Sequence, residues 1–370
     1  MIYLDNGATS FHKPASVFEA MCRAMQTCAN PGRGGYGAAM HAARTVYDCR
    51  EQAAAMFDCD PEQVAFTSNC THGLNIAIRT LVRPGDPVAI SGFEHNAVTR
   101  PLHALGARIT VAGRKLFDRT DTLENFEKTL KSGVKAAVFT HVSNVFGYIL
   151  PVKDMAKLCH QYGVPFVIDA AQSAGTLPVH LKALGADFIA MPGHKGLLGP
   201  QGTGLLLCGG QPIPLMQGGT GSNSKIQEMP QELPDALEAG TVNVPGIAGL
   251  AQGIRYLKKA GLKAVAQREK RQAQRCAEAL AQMGFQVFFG ENQSGTLSFI
   301  PDTDCEEFAE ALAAHGIAVR AGLHCAPTAH ESAGTLETGT VRVSFGMDAS
   351  DAQTDVFLKS VRMLQNKKYL

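Results

Sequence analysis

The sequence predicts an α/β protein, a mostly parallel sheet covered on both faces and followed by a smaller C-terminal α/β unit. Two observations carry this. From about residue 63 to 207, short and nearly continuous apolar runs alternate with longer amphipathic ones, the pattern of parallel strands buried under helices on both sides. After a stretch rich in Gly, Pro, Ser and Gln, a long helical pattern leads into a mixed set of strands and helices. The 370 residues suit two domains. The reading divides them into a large unit at 15–245 and a small one at 246–370 joined by 1–14.

In chain order, VAFTS (Val64–Ser68), PVAIS (Pro87–Ser91), AAVFTHV (Ala136–Val142), PFVIDA (Pro165–Ala170), DFIAM (Asp187–Met191) and TGLLLC (Thr203–Cys208) read as strands. Helical candidates between them include Thr71–Leu81, Pro151–Tyr162 and Val179–Leu184. Gln211–Asn243 reads as irregular connection, and one long helix is expected from about Gly246 to Met283. Strands at Gln286–Phe289, Gly295–Ile300, Ile317–Val319 and Thr340–Phe345 follow, with helices at Cys305–His315 and near Ala352–Leu364. In open parallel sheets the ligand sits outside the carboxyl ends of the strands. Polar residues gather at those ends: Ser68–Thr71, Glu94–Asn96, His141–Asn144, Asp169–Gln172 and His194–Lys195.

A formal net charge of +1 offers no strong field to nucleic acid or to a membrane surface. No apolar run approaches the length of a membrane span, and MIYLDNGATS does not read as a signal peptide. The ten cysteines stand singly, with no CxxC and no Cys/His metal spacing. They read as reduced, mostly core thiols of a cytoplasmic protein, with no metal site.

The chemistry concentrates in DFIAMPGHKGLLGPQGTG (Asp187–Gly204) and VIDAAQ (Val167–Gln172). Lys195 stands between a histidine and a glycine-rich turn just past a strand, and Asp169 ends the strand before it. A Schiff-base lysine and an acid that holds a pyridinium nitrogen are the two groups pyridoxal phosphate chemistry most needs. Alone, such a lysine usually reads as a solvated surface charge. In NCTHGLN (Asn69–Asn75), backbone N–H groups and the Thr71 hydroxyl suit a phosphate at a helix start, although Thr71 reads equally well as a plain N-cap. His95 in FEHNA is placed to stack on a planar ring. Asn144 and Gln172 are neutral polar groups at neighbouring strand ends. Arg342 falls within a strand, where burial calls for a bidentate carboxylate partner; a snorkelling edge arginine is the other reading. Cys325 sits in a Gly/His/Pro-containing loop, placed as a nucleophile or as an incidental loop cysteine.

The ordered series YLDNGATS, NPGRGGYG (Asn30–Gly37), the EH of FEHNA, HVSNVFG, DAAQ, GHK, EAGTVNVPGI (Glu238–Ile247) and RAGLHCA runs over nearly the whole chain. It resembles class V aminotransferase-fold enzymes of the cysteine desulfurase/selenocysteine lyase group. The short interval from Cys325 to TVRVSF resembles the Suf-type, group II, branch. The resemblance implies pyridoxal-phosphate fold type I, aspartate aminotransferase-like, with a mostly parallel seven-stranded sheet in the large domain. It implies that Lys195 forms the Schiff base and moves a proton at the substrate α-carbon, while Asp169 pairs with the pyridinium nitrogen. Gln172 would contact the ring hydroxyl and His95 the ring face. Thr71, the backbone around Cys70, and His194 would hold the phosphate, with Thr241 reaching the phosphate of a partner subunit in a homodimer. Asn144 and Arg342 would position the substrate, and Cys325 would take sulfur from L-cysteine as a persulfide, leaving alanine for release and sulfur for an acceptor protein. L-selenocysteine as substrate, or a transaminase or epimerase activity, is the alternative. Two departures stand out: Pro192 replaces a hydroxyl residue two places before His194, and position 70 is Cys where a small hydroxyl residue is common.

Overall fold

The computed structural model describes residues 1–32, 34–222 and 224–367. Arg33 of the NPGRGGYG stretch, Asn223 of the expected connection and the last three residues of the expected small unit lie outside them. The first part of the chain runs β1 (Ile2–Tyr3), α1 (Ala15–Thr27), α2 (Gly37–Phe57), β2 (Val64–Thr67), α3 (Cys70–Leu81), β3 (Pro87–Ile90), α4 (Asn96–Ala104) and β4 (Arg108–Val111). It continues with α5 (Arg119–Lys131), β5 (Ala136–Thr140), α6 (Val152–Tyr162), β6 (Phe166–Asp169), α7 (Leu181–Leu184), β7 (Phe188–Pro192) and β8 (Gly204–Cys208).

These strands form one seven-stranded sheet in the order β2-β8-β7-β6-β5-β3-β4. β3 to β7 pair in parallel, and β8 runs antiparallel to both of its neighbours. β2 therefore points the same way as β3 to β7. All of their carboxyl ends meet at one edge. Ala136–Thr140, Phe166–Asp169 and Phe188–Pro192 are buried throughout, as their unbroken apolar runs require of a sheet covered on both sides. α6 shows how the covering helices form. Val152, Met155, Ala156 and Cys159 recur at helical spacing and are the residues it buries. The helix stops at Gly163, whose φ of 64° is the left-handed conformation a glycine adopts without strain. The sequence pattern does not predict β4, an edge strand whose first three residues are exposed, so it carries no apolar run to betray it.

The remainder is α8 (Val244–Ala260), α9 (Leu262–Gln282), β9 (Gln286–Phe288), β10 (Thr296–Ile300), α10 (Cys305–Ala314), β11 (Ile317–Ala318), β12 (Arg320–Gly322), α11 (Pro327–Ala333), β13 (Thr340–Ser344) and α12 (Asp351–Lys367). The single helix expected from Gly246 to Met283 is two. Gly261, at φ +80°, ends α8 and begins α9, a turn that an unbroken apolar periodicity conceals. A four-stranded antiparallel sheet, β12-β13-β10-β9, packs against α9, α10 and α12 around Leu297, Phe299, Val341, Val343 and Phe357. The N-terminus belongs beside this sheet: β1 pairs in parallel with β11, and Asp5 bridges to Ser344.

Candidate active site

The carboxyl ends of β2, β5, β6 and β7 and the start of α4 surround a cavity of about 100 Å³. Lys195 and Asp169 both line it, with Cys70, Thr71, His95, Asn144, Gln172 and His194 around them. Eight of the residues singled out in the sequence therefore share one cavity wall. The loops after β6 and β7 bring the lysine and the acid together by close backbone packing. A Cβ on Gly196 would run into the Ala174 carbonyl, and one on Gly175 into Gly196, so glycine is required at both places.

Burial lowers the pKa of Lys195, against the pull of the Asp169 charge, so its amine is more readily neutral than a surface lysine's. Asp169 is itself 2% exposed. Its Oδ1 accepts the N–H of Ala171 at 2.9 Å and the thiol of Cys70 at 3.3 Å. Burial and then the Asp169 charge hold Cys70 well above the ordinary thiol range, so it keeps its proton and donates it. The side chain of Cys70 is thus turned toward the acid. Its neighbour Thr71 carries the hydroxyl on the same wall.

α3 begins one residue earlier than expected, and its N-cap is Asn69, whose side chain accepts the N–H of His72 at 2.9 Å. Thr71 is therefore in the first turn rather than the cap, and the N–H groups of that turn open toward the cavity end of the helix. His95 caps α4, its Nδ1 accepting the N–H of Ala97 at 3.0 Å; burial lowers its pKa, with Asp169 opposing. His194 is pushed down to about 4 by burial and by Lys195, and its carbonyl accepts the hydroxyls of Thr9 and Ser10 at 3.0 Å each. Gln172 donates to the Gly7 carbonyl at 2.9 Å. Pro192 lines the cavity without a hydroxyl to offer, and Thr203, just before its strand partner Gly204, gives its own hydroxyl to the Pro200 carbonyl at 2.6 Å.

Three expected residues lie outside this wall. Arg342, 1% exposed, pairs with Asp5 and donates to the Asn144 carbonyl at 3.1 Å. Its burial is therefore explained by a carboxylate of the chain itself. Thr241 lines a separate cleft with Ser68 and His72 rather than the cavity. Cys325 is exposed and stands on a loop pinned to the cavity rim: Asn96 donates its N–H to the Cys325 carbonyl, and Asn144 its side-chain amide to the His324 carbonyl, both at 2.8 Å. His324 and Cys325 both adopt positive φ, 49° and 57°, a conformation that non-glycine residues hold only when their surroundings enforce it.

Two further side chains belong to the site; both stand in motifs quoted above, but neither is given a role there. Arg320 on β12 places Nη2 3.8 Å from the Cys325 sulfur and stands directly opposite Arg342 in the strand register. Two facing guanidiniums, only one of them with an acidic partner among the described residues, suit an anion; the signal is the Arg of AVRAGLHCAP, five residues before the cysteine. Glu94, fully buried, accepts the hydroxyl of Ser91 and the N–H of Thr140, tying the His95 loop to the end of β5.

The donor set fits pyridoxal phosphate. It offers a desolvated lysine, an acid with one oxygen already oriented, a hydroxyl at a helix N-terminus, and a ring at the wall. Among the described residues no group of His, Cys, Asp or Glu could hold a metal ion.

The fold and this cavity define a pyridoxal-phosphate enzyme scaffold, and the chain belongs to the class-V aminotransferase family, whose model matches residues 2–357. Among individual relatives, the chain is similar to a probable cysteine desulfurase of Methanothermobacter thermautotrophicus, 33% identical over 93% of this chain and 89% of the other. A probable cysteine desulfurase of Pyrococcus abyssi is likewise 33% identical, over 97% and 92%. A cysteine desulfurase from Thermococcus onnurineus NA1, solved in its apo form, superimposes with a TM-score of 0.89 at 32% identity, covering 98% of this chain and 94% of that one.

Proposed function

We propose that this protein is a cysteine desulfurase that uses pyridoxal phosphate to convert L-cysteine to L-alanine, with Cys325 as the sulfur-accepting nucleophile. The observation that carries the reading is an exposed thiol on a pinned loop at the rim of the Lys195–Asp169 cavity. A transaminase has no task for such a thiol, whereas cleaving C–S needs a nucleophile aimed at sulfur.

Bound pyridoxal phosphate supplies an electron sink for charge that develops at the substrate α-carbon. Lys195 holds the cofactor and, with its lowered pKa, takes and returns the α-proton. Asp169 keeps the ring nitrogen protonated. Gln172 and His95 orient the ring; Thr71 and His194 bind the phosphate with the first turn of α3, and Thr241 of a second copy completes that grip in a homodimer. Arg342 and Asn144 receive the substrate carboxylate, and Arg320 opposite Arg342, with no acidic partner among the described residues, supports an anionic substrate there. The Cys325 thiolate then attacks the substrate sulfur. A sulfur–sulfur bond forms, the Cβ–Sγ bond breaks with its electron pair retained on carbon, and a proton completes alanine. Cys325 is left as a persulfide for a sulfur-acceptor protein, as iron–sulfur cluster assembly in the cytoplasm requires. The short Cys325 loop supports the Suf-type reading. In this account 15–245 is the cofactor-binding unit, and 246–370 with 1–14 carries the cysteine.

Cys325→Ala assayed on two substrates tests this. Sulfide release from L-cysteine is expected to fall at least about a hundredfold while the visible band of bound cofactor persists. Release at the parent rate removes Cys325 from the chemistry. Retained selenium release from L-selenocysteine, beside lost activity on L-cysteine in the parent itself, favours a selenocysteine lyase.

A further inference from the structure

We infer that Cys70 is a positioning residue for Asp169: its thiol fixes one carboxylate oxygen, so that the other is presented to the ring nitrogen of the cofactor. The inference rests on the proposed cofactor. It goes beyond that reading in giving the Cys70 side chain, rather than the backbone around it, the part.

The geometry is specific. Oδ1 of Asp169 receives two donors, the Ala171 N–H at 2.9 Å and Cys70 Sγ at 3.3 Å. These come from different elements, the loop after β6 and the first turn of α3, so together they fix both the rotation and the tilt of the carboxylate. Among the described residues, Oδ2 has no such donor. It is the oxygen left to accept a protonated ring nitrogen. Cys70 is 7% exposed and in place because α3 lies close against the sheet: a Cβ on Gly73 would approach the Ala190 side chain to 3.2 Å. A thiol that burial and a neighbouring carboxylate keep protonated stays a donor across the working pH range. Cys70 also adjoins Thr71, so the same turn of helix that meets the phosphate orients the acid at the far end of the ring. Cofactor affinity and ring electronics are thereby coupled through one residue.

The test compares Cys70→Ala and Cys70→Ser with the parent, each stripped of cofactor and titrated with pyridoxal phosphate by equilibrium dialysis. The visible band of each loaded protein is then followed against pH. Cys70→Ala is expected to raise the dissociation constant about fivefold, the size of one hydrogen bond, and to move the midpoint of the spectral pH titration. Cys70→Ser keeps a donor and is expected to stay within about twofold of the parent with an unmoved midpoint. Parent-like binding and an unmoved midpoint in Cys70→Ala overturn the inference, as does a serine variant as impaired as the alanine one, which reports packing rather than donation. Failure of the parent itself to bind pyridoxal phosphate overturns the cofactor reading instead.

Discussion

The floor and the rim of the candidate site are built by opposite means. The floor is made of side chains at the ends of buried parallel strands, and its groups are fixed to one another: Cys70 to Asp169, His95 to the start of α4, Gln172 to Gly7. At the rim the main chain is fixed instead. The carbonyls of His324 and Cys325 are both tied down, while the Cys325 side chain is exposed, its sulfur 3.8 Å from Arg320 Nη2. A cofactor that stays in place profits from a rigid, desolvated cradle. A thiol that must meet the substrate and then an acceptor needs a fixed position and a free sulfur. The difference in construction follows the difference in task.

The strongest way to break the comparison is at the floor. Lys195→Ala removes the group that both holds the cofactor and moves the proton, and is expected to lower sulfide release from L-cysteine about a thousandfold or more. The visible absorbance of the purified protein should vanish with it. An unchanged spectrum would mean that Lys195 is only a buried amine.

Floor and rim are also unequally legible in the sequence. Strand ends can be found because β5, β6 and β7 are unbroken apolar runs, each followed at once by polar residues, and that order alone places Asp169 and Lys195 on one edge of the sheet. The edge strand β4 lacks such a run, and the helix pair α8 and α9 hides its break behind continuous apolar spacing, so neither is legible. At the rim the residue types are visible but the partners are not. Asp5 reaches Arg342, and Gly7 reaches Gln172, across long stretches of chain, and no local pattern reports a contact of that range. Arg320 escapes notice for the same reason: its meaning lies in the strand register with Arg342 and in its distance to Cys325.

A smaller effect sharpens the account of the rim. Asn144 lines the cavity and also donates to the His324 carbonyl, so Asn144→Ala is expected to remove a substrate contact and loosen the loop together. Loss of about tenfold in kcat/KM for L-cysteine fits one or two hydrogen bonds. If the loop is truly pinned there, reaction of Cys325 with a thiol reagent should change in the same variant. An unaltered reagent rate would show that the Asn96 contact alone holds the cysteine.

The smallest expected effect concerns the histidine that carries the pin. His324 is 3% exposed, its ring Nε2 sits 3.2 Å from the Thr340 carbonyl, and burial, then Arg342, push its pKa down to about 2. In the unfolded chain a histidine binds its proton near pH 6.5. Between that value and about 2 the unfolded state therefore holds a proton that the folded state does not. Stability from this group is present above pH 6.5 and is lost as the pH falls, by about 1.4 kcal/mol per pH unit. His324→Asn retains a hydrogen-bonding side chain but cannot titrate. Denaturant unfolding at pH 5 and pH 6.5 should show a shallower pH slope in that variant than in the parent. His141 and His330, both held near 4 by burial, titrate in the same direction and remain in both proteins, so only the difference in slope reports on His324. Equal slopes would mean that the ring is solvated in solution, and that the rim is looser than its hydrogen bonds imply.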